Sequence, residues 1–331
     1  MHMADALISP AVAGSVAVCS ALTASYCLKK VREEDNPKKI ALMGVLGAFV
    51  FATQMINFTI PGTGSSGHLC GGMLLSAVLG PYAGFLTMIG VLLVQCLLFA
   101  DGGLLALGCN IWNMAFYSCF IGSLVIWQSF VKTGLSRQKI VLASIIGSVL
   151  TLQLGAFSVC IETLLSGITA LPFGLFVMTM QPIHLAIGFV EGLITAAVLL
   201  YIYSVRPSLL YGNALEESED FSMSKILGSL GVVTAFIGGG LALVASELPD
   251  GLEWSLEKVA GTAELEASGN AHETAAAIQE LTAFLPDYAF PGSESIWGTV
   301  VSGLLGSVIV ACLCIVAMNL LKVSHSLKTN E

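Results

Sequence analysis

The chain has 331 residues, of which 56% are hydrophobic and only 11% charged, with a mean hydropathy of +0.87. A water-soluble domain carries roughly 25% charged residues, so the polar groups here are too few to cover a water-facing surface, and a lipid bilayer must solvate much of the chain. A formal net charge of −9 excludes the basic footprint that nucleic-acid binding demands.

The chain starts Met1-His2-Met3-Ala4-Asp5, with no basic stretch and no small-residue cleavage site after a short apolar core. The expectation is therefore that no signal peptide is removed and that the mature protein begins at Met1. Apolar stretches then predict helices at about 6–28, 39–58, 68–80, 82–100, 104–128, 139–161, 180–204, 225–246 and 296–321. Most reach the ~20 residues needed to cross a bilayer; the segment 68–80 is short. Basic residues favour the cytoplasmic side. With nine crossings and the N-terminus outside, Lys29, Lys30, Arg32, Lys38, Lys39, Lys132, Arg137, Lys139, Arg206, Lys225, Lys322 and Lys328 all fall inside, and only Lys258 does not. Dropping the short segment would strand the 132–139 cluster outside. The reading is thus an all-α integral membrane protein, a polytopic helical bundle of about nine segments, seven plus two. A short segment among full ones also typifies a site-forming element in transporters.

Two polar regions divide the chain into a seven-segment unit, residues 1–205, and a two-segment unit, residues 225–325. The linker 206–224 contains Glu216-Glu217-Ser218-Glu219-Asp220 and is placed inside. Residues 247–295 form an outer loop with ten acids and one lysine, whose Ala-, Glu- and Gln-rich composition predicts partial helix. The nine cysteines lie in or beside apolar segments without a C-x-x-C, so they read as small membrane-core residues.

Of five histidines, His2 is chemically special. A free α-amine, the amide nitrogen of residue 2 and its imidazole can close adjoining chelate rings on one metal ion, and another imidazole completes a square of nitrogens. Such ligation suits Ni2+ or Cu2+, and nitrogen donors also hold Co2+. An α-amine titrates near pH 8 and an imidazole near 6.5, so binding would release protons and weaken in acid. His68, at the outer end of the short segment after a Gly-rich approach, is the candidate fourth nitrogen. Met1, His2 and His68 are therefore the candidate metal ligands, against the plainer reading of His2 as an accident of a frayed terminus.

The remaining candidates each have a bland reading. Gly62-x-Gly64-x-x-Gly67 matches a dinucleotide fingerprint but lacks a βαβ setting. Asp101 reads as a cap for the following helix ahead of a metal-pathway role. His184 and Glu191 share a helix face and read as interhelical hydrogen-bonding groups. Glu162 reads as a solvated helix end, and His272 as a solvated loop residue ahead of a group that pre-concentrates cations; His325 is uninformative. Ala13, Ala17 and Ala21 form a small-residue stripe, for internal packing or a partner membrane subunit. No G-x-x-x-x-G-K-[ST] occurs, so ATP hydrolysis would come from another chain, and no His-and-acid cluster near the inner face marks a membrane enzyme.

The segments Met1–Pro10, Gly67-His68-Leu69-Cys70-Gly71-Gly72, Leu79–Gly84, Gln95–Met114 and His184–Gly192 resemble the CbiM/NikM family of metal-specific substrate-binding components of energy-coupling factor transporters. Leu248-Pro249-Asp250-Gly251-Leu252-Glu253 resembles the PDGLE domain, similar in layout to the two-span CbiN/NikN subunit, so the chain looks like a fusion of the two. The resemblance implies metal capture by Met1, His2 and His68, Ni2+ or Co2+ as transported substrate, and no organic cofactor. It further implies a partner transmembrane coupling subunit, a pair of cytoplasmic ABC ATPases, and residence in a prokaryotic cell membrane. Ala6 departs from the Gly common in the family, and Met3 falls at a mixed position; neither removes a ligand. The rival reading is a self-sufficient secondary transporter or channel.

Overall fold

The computed structural model describes residues 1–34, 36–213, 223–293 and 295–329; the acidic run 216–220 of the expected linker lies outside these. Among the described residues, seven helices are long and apolar enough to cross a membrane. They are α1 (Pro10–Glu34), α3 (Gly72–Phe99), α4 (Leu107–Val131), α5 (Arg137–Ser166), α6 (Phe173–Val205), α7 (Met223–Gly239, its apolar run continuing to Val244) and α10 (Trp297–Thr329). The chain is a multi-pass membrane protein.

Nine crossings are not established, for two physical reasons. Helix α2 (Pro37–Gln54) has only 18 residues and begins on Lys38 and Lys39, capped by the Asn36 side chain. The expected segments 68–80 and 82–100 form one element, α3, broken at Gly80 (φ 79°, ψ 172°) before Pro81. A Cβ at Gly84 would lie 3.1 Å from the Ser76 backbone, whereas eight residues of continuous helix rise ~12 Å. The chain therefore turns back at Gly80, where only glycine adopts the required φ. The arm Gly72–Leu79 is itself ~12 Å long, less than half a bilayer core.

Small residues set the helix spacing. Gly188 and Gly192 of α6 face the backbone of Val149 and Ile145 on α5, with no room for a side chain at Gly192. Gly238 and Gly303 bring α7 against α10, and Gly44 and Gly47 of α2 receive Ile315 and Val310 of α10, so the last two long helices pack on the first unit. On α1, Ala13 is buried and Ala17 meets Gly108, while Ala21 faces outward, so the stripe is split between packing and surface.

One departure from an all-helical chain lies beside the site. β1 (Phe58–Ile60) pairs antiparallel with β2 (Ser65–Gly67), joined through Gly62 and Gly64 at φ 77° and 75°. The G-x-G-x-x-G spacing is thus a hairpin turn and strand, not a nucleotide cradle. The outer loop carries α8 (Gly251–Ala260) and α9 (Asn270–Thr282), matching the expected partial helix.

Candidate metal centre

The first eight residues are a plug, not a fraying tail: Met1, Met3, Leu7 and Ile8 are all buried. Asn110 clamps the Met3 backbone, accepting from its N–H at 2.7 Å and donating to its carbonyl at 3.2 Å. Gly103 N–H also donates to the Met3 carbonyl, at 2.8 Å. A side chain at Gly103 would overlap Asp5, whose carboxylate accepts from Ala106 N–H at 2.9 Å. The Asp101-Gly102-Gly103 turn is therefore shaped to receive the N-terminus.

That plug presents the Met1 α-amine to His68, 3.1 Å from Nε2. His68 Nδ1–H donates to the Leu69 carbonyl at 3.1 Å, a bond that assigns the tautomer and leaves the Nε2 lone pair facing the amine. Two nitrogens each ~2 Å from one ion in a square sit ~2.9 Å apart, so the amine and His68 are spaced as neighbouring ligands. The His2 ring stacks on His68 at 5.2 Å between centroids and 20° between planes. Its Nδ1 meets Asp101 Oδ1 at 3.1 Å and its Nε2 meets Gln95 Oε1 at 3.3 Å. The three sequence-predicted residues are thus brought together, with the His2 ring held by Asp101 and Gln95. Among the described residues no three His, Cys, Asp or Glu side chains converge on a metal position.

Sequence reasoning missed a fourth participant. Asp250 Oδ2 pairs with the Met1 ammonium at 2.5 Å and lies 3.8 Å from His68 Nε2. The PDGLE residues build this contact. Ser66 N–H donates to the Pro249 carbonyl at 2.8 Å, and Ser66 Oγ to the Leu248 carbonyl at 2.6 Å, docking the loop on β2. Asp250 Oδ1 caps α8 through the Leu252 and Glu253 N–H groups, and Glu253 closes the capping box. Gly251 fits where a Cβ would lie 2.7 Å from Ile187 and 3.0 Å from His184. The only sequence signal was the PDGLE run itself.

Electrostatics follow from burial and these partners. Burial lowers His68 to about 3, with the Met1 ammonium and the His2 ring acting in the same direction. Burial likewise lowers His2, against the pull of Asp101. Burial would raise Asp250, but the adjacent Met1 ammonium, through its charge and its hydrogen bond, holds the carboxylate well below the usual range. Both imidazoles are therefore neutral near pH 7, the form that ligates metal. Outside them opens a cavity of about 680 Å³ whose lining includes Asp5, Asp101, Asp250, Glu253, Glu273 and Asp287 and no Lys or Arg.

Other sequence readings change. Asp101 is not a helix cap; it holds His2 and accepts from the Tyr288 hydroxyl at 2.5 Å, so its place is in the centre. Glu162 is buried, not solvated, and accepts from Asn113 Nδ2 at 2.7 Å. His272 is buried as well, its Nε2 bonded to the Ile8 carbonyl at 3.0 Å. Glu191 does bond between elements, accepting from Cys70 and Gly71 N–H at 3.0 and 3.1 Å. His184 instead bonds within its own helix, to the Met180 carbonyl at 2.8 Å.

Comparison with known proteins agrees with this architecture. Residues 2–209 match the family described as the cobalt uptake substrate-specific transmembrane region, CbiM, and residues 224–323 match the PDGLE domain. A chain of Archaeoglobus fulgidus assigned as a fused nickel transport protein, NikMN, is 36% identical over 95% of this chain and 96% of its own length. The fused nickel transport protein NikMN of Rhodobacter capsulatus is 28% identical, covering 94% of this chain and 95% of its own. A crystal structure of a transition metal transporter superposes with a TM-score of 0.55 at 30% identity, covering 62% of this chain and 93% of that one. The chain belongs to the CbiM/NikM family of cobalt- and nickel-transport membrane proteins, fused to a NikN-like PDGLE domain.

Proposed function

We propose that this chain is the substrate-capturing component of an ATP-driven importer of Ni2+ or Co2+. It takes the ion on the outer face through the Met1 amine, the His2 amide and imidazole, and His68. The observation that carries this reading is the 3.1 Å approach of the amine to a His68 Nε2 whose lone pair is set by the Leu69 carbonyl. The acidic cavity supports it, since carboxylates without basic neighbours raise the local cation concentration at the mouth. The relatives named as nickel transport proteins support the choice of cargo. Nickel and cobalt both accept nitrogen ligands.

The PDGLE loop acts as the outer gate in this account. Asp250 occupies the ammonium until a cation arrives, and Asp101 holds the His2 ring; closing the chelate requires both carboxylates to let go and the ammonium and the His2 amide each to release a proton to water. Inward delivery depends on a transmembrane coupling subunit and separate ATPases, because the chain carries no phosphate-binding loop. Uptake of labelled Ni2+ and Co2+ in cells tests the proposal. It is expected to vanish in His2→Ala and His68→Ala, to stop on ATP depletion, and to persist when ion gradients are collapsed. Uptake that follows an ion gradient and ignores ATP would make the chain a secondary transporter instead.

A further inference from the structure

Behind the amine, on the bundle side, lies a small cavity of about 10 Å³, lined in part by Met1, His68, Cys70, His184, Asp250 and Gly251. That is close to the space of one water or one ion. His184 is buried, with 1% of its surface exposed. Its Nδ1–H donates to the Met180 carbonyl at 2.8 Å, which leaves Nε2 as a bare lone pair. Among the described residues that Nε2 has no hydrogen-bond partner. Gly251 lies flat against the same ring edge, where a Cβ would be 3.2 Å from Nε2. An unpartnered acceptor is costly in a buried site, and an apolar ring would fill this space without that cost.

We propose that His184 Nε2 is the first ligand met by the dication on its way inward, forming a relay position between the capture site and the helical bundle. This rests on the capture reading above. An ion leaving the amine exchanges that nitrogen for His184 Nε2 while His68 and Asp250 still border the same cavity. Imidazole nitrogen with a carboxylate suits a transition-metal dication better than Mg2+ or Ca2+. Among the described residues the side chains around the cavity are too far apart for three of them to hold one ion in this conformation, so the relay is a weak, transient holding point. Weakness is what passage requires, since a tight inner site would trap the cargo.

Two variants of equal size separate a ligand from a packing group. His184→Leu and His184→Met both lose the bond to Met180, but only the second offers a sulfur donor. Each replaces the chromosomal copy, and uptake of labelled Ni2+ is normalised to the amount of chain in the membrane. Equilibrium Ni2+ binding is measured on the purified full chain. The relay predicts capture within about threefold of wild type for both variants, uptake at least tenfold slower for His184→Leu, and at least threefold recovery in His184→Met. Wild-type uptake in both variants, or equal slowing in both, overturns the relay and indicates a water-filled packing cavity. Loss of equilibrium binding in both also overturns it, by making His184 part of capture. Full-affinity binding by His2→Ala would instead remove the capture reading, whatever His184 does.

Discussion

The Asp250 carboxylate does two jobs with two oxygens, and substitution can separate them. One oxygen caps α8 and the other pairs with the Met1 ammonium at 2.5 Å, with side chains 3% and 14% exposed. Asp250→Asn keeps a good helix cap but removes the charge. A hydrogen bond to a charged group contributes ~1.5–3 kcal/mol, and the low exposure leaves little solvent to screen it. At ~1.4 kcal/mol per tenfold, the docked loop should open roughly 10–150-fold more often. Asp250→Ala also forfeits the cap, ~1 kcal/mol more. The assay is amide hydrogen exchange at Leu252, Ser255 and Leu256, three buried α8 residues, in the purified chain without added metal. The expected order of protection is wild type, then Asp250→Asn, then Asp250→Ala. Wild-type protection in Asp250→Asn beside a loss in Asp250→Ala would show that Asp250 is only a cap and refute the latch.

Gly251→Ala places a methyl 2.7 Å from Ile187 Cδ1 and 3.0 Å from His184 Cε1; overpacking of this kind costs ~1–3 kcal/mol, so the same exchange measurement should again show lost protection, and unchanged exchange would contradict the close fit. Asn113→Ala strips the buried Glu162 carboxylate of its 2.7 Å donor, which should lower the thermal midpoint through a loss of ~1–3 kcal/mol; an unmoved midpoint would mean the contact contributes nothing. Acid should weaken the fold through His68, lowered to about 3 in the folded chain against ~6.5 when unfolded. Its stabilisation is full above pH 6.5 and is lost as pH falls toward 3, by up to ~1.4 kcal/mol per unit, because the unfolded chain takes up a proton that the folded chain refuses. Thermal unfolding of wild type and His68→Phe between pH 7 and 4.5 should give a flatter profile for the variant; equal slopes would count against it.

What was legible in the sequence was local. Unbroken apolar runs announced the long helices, because each must be solvated by lipid along its length. His2 could be picked out as a candidate because the nitrogens it could chelate with, the amine and its own amide, are its covalent neighbours, and the fold brings it beside His68. His68 was reachable from the topology, which put it on the same face as Met1. Asp250 was not, since 249 residues separate it from the amine and only the fold of the loop onto Ser66 brings it there. Asp101, Glu162 and His272 were misread for the same reason: their partners are His2, Asn113 and the Ile8 carbonyl, each remote in sequence. The α3 fold-back is a further case. A Gly-Pro pair in an apolar stretch marks a break, but only the Ser76–Gly84 approach shows that the chain reverses there.

Metal capture as proposed centres on the Met1 nitrogen. It sits 2.5 Å from Asp250 and 3.1 Å from His68, so acetylation, or one added residue in front of Met1, converts it to an amide without an available lone pair and crowds both neighbours. Titration of Ni2+ into purified chain with a free and with an acetylated terminus is the direct measurement. The account predicts at least a hundredfold loss of affinity on acetylation, ~2.7 kcal/mol. Equal affinity for the two forms would contradict it.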